Sequence, residues 1–259
     1  MKSQQLSLVF NLSREDSLTT FAKALAAAAP LADELIIYNL EANLDNLQQL
    51  TKSYQANIIN LPQPSIVEMI RDRQVRQTKF EWVLILDADE ILSPHLQKEI
   101  RQLLQSDIPN QVGAYALPRQ NYSLGYRIRH GGWDDDYQVR LIRKSHFLNW
   151  PSIIHVVPKI EGEIVQLHNP LYHYKDPSLE FIVDKTNRYS DAEAQLFFDG
   201  GLPFVTSLTL IRKFSFEIIR RGFLKLGLLD GAIGLIHSIY QGFSVFITYA
   251  KLYEKQIND

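Results

Sequence analysis

The stretch "KFEWVLILDADEILSPHL", Lys79 to Leu96, decides the fold. An apolar run, Trp82 to Leu86, leads straight into Asp87, Asp89 and Glu90. Such a run reads as a strand buried on both faces, as in a parallel sheet. Carboxylates this close repel one another, and desolvating any of them is costly. Something has to offset the repulsion. The candidates are a divalent cation, a hydroxyl-rich ligand, or plain solvent at an exposed strand end.

Outward from this strand, the first half of the chain alternates strand and helix. "LSLVF" is a first strand. Ser13 is then a helix N-cap, with Glu15 and Asp16 in the first turn. Leu18, Phe21, Ala22 and Leu25 follow at helical spacing, and "AKALAAAAP" ends that helix at Pro30. "ELIIY" and "ANIINL" are the next strands. Leu44, Leu47 and Leu50 mark a helix between them, and Ile66, Met69 and Ile70 mark one that runs to about Thr78. After the acidic turn, Ser93 caps a helix with Pro94 at its first position. Apolar strands alternating with helices predict a mostly parallel sheet covered on both faces. Past about residue 112 the pattern changes. "GAYALP", "YQVRLIRK", "IIHVV" and "EIVQL" read as strands, a helix spans Ser178 to about Phe198, and the chain from Phe204 is helical, apolar and basic.

The length of 259 residues fits one large domain, or one with an appendage. Apolar residues make up 46% and charged residues 22%, enough for a sizeable core. A formal net charge of -2 argues against a nucleic-acid partner. With no cysteine, disulfides and thiolate metal sites are excluded, and a cytoplasmic location fits. The opening "MKSQQLSLVFNLSRED" reads as a strand, not a signal peptide.

In open α/β sheets, ligands bind beyond the carboxyl ends of the strands. Hard oxygen ligands on a short turn there suit Mg²⁺ or Mn²⁺, which would also take oxygens from a bound diphosphate. The bland alternative is a solvated turn. Two enzyme classes place D-x-D after an apolar strand. In haloacid-dehalogenase-like phosphatases the first Asp is a nucleophile on the first strand, usually followed by Gly or Val and then Thr. Here Glu90-Ile91-Leu92 follows, on the fourth strand. The other class is the GT-A glycosyltransferases.

The chain resembles a family 2 glycosyltransferase of the GT-A type, and within it the subgroup related to bacterial lipopolysaccharide-core glucosyltransferases. The residues that carry this are "DELIIY", "VEMIRDRQVRQTKFEWVLILDADEIL", "GGWDDDYQVRLIRK", "IIHVVP" and "LYHYKDPSLEFIVDKTNRY". The resemblance implies a Rossmann-like nucleotide-sugar half (about 1–111), a mixed-sheet acceptor half (112–203) and a helical tail (204–259). It implies an inverting transfer from a nucleoside-diphosphate sugar, a UDP-sugar first, to a glycan or lipid-linked glycan in cell-envelope or lipopolysaccharide synthesis. Asp89 would hold the metal and Asp87 the ribose, with help to the metal. His173 matches a late metal-binding position, with His155 and His168 as further imidazoles nearby. Arg71 would face the acidic turn and pair with the diphosphate. In "GGWDDDYQ", Asp136 would be the acceptor-side base, with Asp135 in reserve.

One departure is clear. Such enzymes usually carry D-x-G-S-x-D after the second strand. This chain has "YNLEANLD", with Asn39 where the nucleobase-holding Asp would fall. That leaves the choice of base open.

Other groups carry two readings each. Trp133 offers a flat face to a sugar ring or belongs to a core. Gln138 and Arg140 alternate with Val139 and Leu141, so one face of their strand is polar and can line a cleft. Lys185 and Arg188, a helical turn apart beside Tyr189, reach phosphates or are solvated. In the tail, Arg212, Lys213, Arg220, Arg221 and Lys225 are interleaved with aromatics and aliphatics. This suits a helix lying on an anionic membrane surface, at the inner face of the cytoplasmic membrane. A spanning helix or an ordinary packed helical pair are the alternatives. Two other functions stay open: a Mg²⁺-dependent phosphatase with Asp87 as nucleophile, and a non-catalytic sugar-binding or assembly protein.

Overall fold

The structure is a computed structural model that describes residues 4–151 and 156–258. The strands are β1 (Leu6–Ser13), β2 (Glu34–Leu40), β3 (Asn57–Leu61), β4 (Trp82–Asp87), β5 (Glu90–Leu92), β6 (Val112–Ser123), β7 (Tyr126–Arg127), β8 (Tyr137–Arg143), β9 (Phe147–Asn149), β10 (Lys159–Ile160), β11 (Glu163–Gln166) and β12 (Leu171–Asp176). The helices are α1 (Leu18–Ala28), α2 (Leu44–Thr51), α3 (Glu68–Gln77), α4 (Pro94–Gln105), α5 (Leu179–Asp199), α6 (Ser207–Ile219) and α7 (Gly231–Asn258). By compactness the chain forms two units. One is Met1–Arg119 with Asp136–His173, and the other is Gln120–Asp135 with Tyr174–Asp259.

The main sheet runs in the order β3-β2-β1-β4-β8-β6-β12-β5. Its first four strands are parallel, so β1, β2 and β4 end at one edge. β8 then pairs antiparallel with β4 and with β6. Successive residues of a strand face opposite sides of a sheet, and both sides here are covered. Leu8, Phe10, Leu84 and Leu86 pack on one face with Phe21 and Leu25 of α1 and Leu96 and Ile100 of α4. Val9, Val83 and Ile85 pack on the other with Val75 of α3. The expected architecture is the observed one: a Rossmann-type parallel half continued into a mixed central sheet, with a helical C-terminal segment.

Local differences from the sequence reading have physical causes. Ser13 does not cap α1. Parallel pairing of Ser13 with Leu40 keeps it in β1, and Ser17 is the cap, accepting from the Thr20 amide. Ile66 precedes α3. Glu90–Leu92 is a strand, antiparallel to β12, which sets Glu90 opposite His173. Of "IIHVV", Ile153 to His155 lie outside the described residues, and Val156 and Val157 are not in a strand.

In the second unit, Ser178 caps α5, and Thr206 with Thr209 forms a capping box on α6. Ala194, Val205 and Leu252 form a small core with Phe197, Leu210 and Tyr249 around them. Gly242 of α7 lies so close to α6 that a Cβ there would meet the Ile218 side chain at 2.6 Å and the Phe214 carbonyl at 3.1 Å.

Candidate active site

Asp87 ends β4 beside Asn11, its register partner on β1. Arg71 of α3 donates through Nη2 to both Asp87 oxygens at 2.8 Å. Arg140 of β8 donates through Nη2 to Asp87 Oδ2 at 2.8 Å and to Glu90 Oε1 at 2.7 Å. Asn11 Nδ2 donates to Asp87 Oδ1 at 3.3 Å. Each Asp87 oxygen thus accepts two hydrogen bonds, which fills the lone-pair directions of a carboxylate. Burial pushes the Asp87 carboxyl up, but the charges of Arg71 and Arg140 outweigh it and hold the group well below the usual range. Burial likewise pushes Arg140 down, but Glu90 and Asp87 outweigh it and raise it.

Glu90 is fully buried and also accepts from the Asp87 amide at 3.1 Å. Arg119 Nη1 approaches Glu90 Oε1 at 3.5 Å, and its Nε donates to Asp136 Oδ2 at 2.8 Å. Gln138 Nε2 donates to Asp136 Oδ1 at 2.8 Å. A line of alternating charge results: Asp136, Arg119, Glu90, Arg140, Asp87, Arg71. This answers the question posed by the acidic turn. Buried guanidinium groups offset the repulsion around Asp87 and Glu90, a solution outside the cation, hydroxyl ligand and solvent expected from sequence.

Asp89 stands outside that line. Its Oδ2 is 3.4 Å from His173 Nε2. Neighbouring ligands about 2.1 Å from an octahedral cation lie about 3 Å apart, so this spacing fits a shared Mg²⁺ or Mn²⁺. Among the described residues no group of three or more such side chains converges. Mg²⁺ commonly takes one or two carboxylates and completes its shell from phosphates and water. Asp16, in the β1–α1 turn, accepts from the Ser13 amide at 2.7 Å. Its carboxyl is raised to about 6, by burial first and then by Asp89 and Asp87.

The structure therefore brings together Arg71, Asp87, Asp136, Gln138 and Arg140, with the Asp89–His173 pair attached through the β5–β12 ladder. Asn39 is buried and spent locally: its amide donates to Asn60 Oδ1 at 2.8 Å and to the Ala42 carbonyl, and its oxygen accepts from the Ala42 amide. His168 is exposed and contacts Glu99. The remaining candidates belong to the second unit. Lys175 Nζ lies 3.6 Å from the Trp133 ring centre and the Arg221 guanidinium 5.3 Å from it. Asp134 and Asp135 are exposed. Lys185 lies near the Phe181 and Tyr189 rings, and Arg188 is exposed on α5. Sequence reasoning passed over Asn11, Asp16 and Arg119 as site residues. The signal at hand was position: Asn11 and Asp16 lie at and just past the carboxyl end of β1, the edge where β4 carries Asp87.

No family model matches the chain. It is similar to proteins named uncharacterized glycosyltransferases. One, from Rickettsia typhi, is 26% identical over 243 residues, covering 90% of this chain and 82% of the relative. Another, from Rickettsia prowazekii, is 25% identical over 258 residues, covering 94% and 85%. Among solved structures it is similar to a mannosyltransferase from Pyrobaculum calidifontis in complex with GDP-Man and Mn²⁺. The TM-score is 0.49 at 9% identity, covering 100% of this chain and 76% of the other.

Proposed function

We propose that this chain is a glycosyltransferase of the family 2, GT-A kind. It moves a sugar from a nucleoside-diphosphate sugar to a hydroxyl of a glycan or lipid-linked glycan, with cell-envelope synthesis as its setting. One observation carries this reading. At the carboxyl edge of the parallel strands, one partly buried ion-pair line joins the proposed donor-side group, Asp87, to the proposed acceptor-side group, Asp136, and the Asp89–His173 pair lies beside it. The relatives' shared name supports it.

In the proposed reaction the acceptor oxygen forms a bond to the anomeric carbon as the bond from that carbon to the diphosphate breaks. The diphosphate leaves with the electron pair, and Asp136 takes the acceptor proton. Direct attack inverts the anomeric centre. Asp89 and His173 would hold a divalent cation, which supplies positive charge toward the leaving diphosphate. Asp87 holds Arg71 and Arg140 in place; as the ribose contact of this reading it would take the hydroxyl in place of Asn11, its longest bond at 3.3 Å. Gln138 and Arg119 orient Asp136. Trp133, Asp135, Lys185 and Arg188 remain candidates for acceptor and phosphate contacts. Both Asp87 oxygens are paired with guanidinium groups, which makes them poor nucleophiles and counts against the phosphatase alternative. The working place proposed is the inner face of the cytoplasmic membrane, against anionic lipid.

The test separates donor from acceptor chemistry. Asp89→Asn should weaken Mn²⁺-dependent nucleoside-diphosphate binding, read by calorimetry. Asp136→Asn should leave that binding intact and lower sugar transfer by roughly 10²- to 10⁴-fold. Unchanged Mn²⁺-dependent binding in Asp89→Asn removes Asp89 from the metal site, and wild-type transfer by Asp136→Asn removes the base.

A further inference from the structure

The C-terminal helices expose apolar surface where a packed pair would bury it. At 100° per residue, Leu208, Ile211, Phe216 and Ile219 fall on one side of α6. All four are exposed, Leu208 by 73%. The same side continues past the helix end to Phe223, and the turn that follows holds Leu224 and Leu229, 68% and 67% exposed. On α7, Leu235, Ile239, Phe243 and Phe246 form a second bare stripe. Monomeric proteins rarely leave so much contiguous apolar surface uncovered without a use for it.

The charges say what covers it. Between Phe204 and Ala250 the acids are Glu217 and Asp230, against Arg212, Lys213, Arg220, Arg221 and Lys225. Glu217 is buried and bound by Arg220 and Arg221, while Asp230 accepts from the amides of Arg129 and His130 and from the His130 ring. Both acids are thus turned inward into bonds. Arg212 and Lys225 stand exposed among the apolar side chains. A second copy of the chain meeting this face about a twofold axis would set like charges against each other. An anionic lipid surface accepts both the apolar side chains and the cations.

The segment Gly227–Asn258 is long and apolar enough to cross a membrane. Its inner side is nonetheless bonded within its own unit. His237 Nε2 lies 2.7 Å from Ser123 Oγ, and Tyr240 Oη donates to the Ile182 carbonyl at 2.8 Å. Thr248 Oγ1 donates to Glu193 at 3.2 Å, and Lys251 Nζ pairs with Asp191 at 2.8 Å. Crossing would break these bonds and leave their polar groups in hydrocarbon.

We propose that the α6–α7 hairpin is a monotopic membrane anchor: the turn carrying Phe223, Leu224 and Leu229 enters the acyl region of an anionic leaflet, the α6 stripe lies in the interface, and Arg212 and Lys225 meet the headgroups. This deepens the peripheral placement proposed above and rests on it, but is independent of sugar transfer.

The test uses the full chain and vesicles of phosphatidylcholine with phosphatidylglycerol at low salt. Phe223→Ser/Leu224→Ser/Leu229→Ser should lower partitioning by ~10-fold or more, since each exposed apolar side chain adds its own transfer free energy. Its melting temperature should stay near wild type, because these side chains are exposed. In a second arm, Phe223→Trp should be quenched by lipids brominated along the acyl chain. Loss of binding with unchanged folding, together with quenching, supports the anchor. Equal partitioning of the triple variant, or an introduced indole left unquenched on bound protein, overturns it and leaves peripheral placement standing. Wild type that stays in the supernatant overturns both, and a doubled mass by light scattering assigns the face to self-association instead.

Discussion

Glu90 shows how a single residue can carry more than its own bond. It is fully buried and accepts from Arg140 and from the Asp87 amide, with Arg119 alongside. Removing one member of a buried pair strands the other charge, which typically costs about 3–5 kcal/mol. Glu90→Gln should therefore lower unfolding free energy by about that much in a urea titration. A loss under ~1 kcal/mol, the worth of an exposed pair, would mean that water already reaches Arg140. Sequence reading found Asp87 and Asp89 because the acids follow an apolar strand directly. It also picked out Arg71 and Arg140, though not as the partners of Asp87, and it passed over Arg119 and Asn11, which lie 29 and 76 residues from Glu90 and Asp87 and meet them only through the sheet.

At the scale of elements, the strands were legible wherever the run was apolar on both faces, as in β1, β2 and β4. Boundaries were less so. Ser13 looks like a cap, yet its backbone is worth more to the ladder with Leu40 than to a helix start. The helical tail was legible as helices, but not their close approach, which depends on a missing side chain. Gly242 lets α6 and α7 meet where Ile218 already fills the space. Gly242→Ala gains helix propensity of about 1 kcal/mol but must push Ile218 or the Phe214 carbonyl away. The net effect should be destabilising by ~1–2 kcal/mol in chemical denaturation, and a stabilised variant would mean that the helices separate freely.

For the molecule as a whole, stability on the acid side should follow a histidine. His237 of α7 is buried, its Nδ1 has no hydrogen-bond partner, and its pKa is lowered to about 4. Burial is the first cause, with Lys175 and Arg221 opposing the charged form and Asp176 and Asp230 favouring it. Because the folded pKa lies below the unfolded value of about 6.5, the unfolded chain takes up the proton first. Stability should fall by up to ~1.4 kcal/mol per pH unit as pH drops from about 6.5 toward 4, and this contribution should level off below that. Calorimetric melting temperatures of wild type and His237→Gln should converge or cross along that limb. Parallel curves would assign the acid loss to carboxylates instead.

The line from Asp136 to Arg71 also constrains how this protein can change over time. It holds three acids and three arginines, each touching a neighbour of opposite sign. Its sum is zero only while the tally stays even. Replacing one member by a neutral residue leaves a surplus sign in a partly buried row, so a scan of neutral single replacements will make these positions look uniformly intolerant. Adjacent members replaced together by neutral residues keep the tally, so variants that still fold will arrive as couples, such as Glu90 with Arg140.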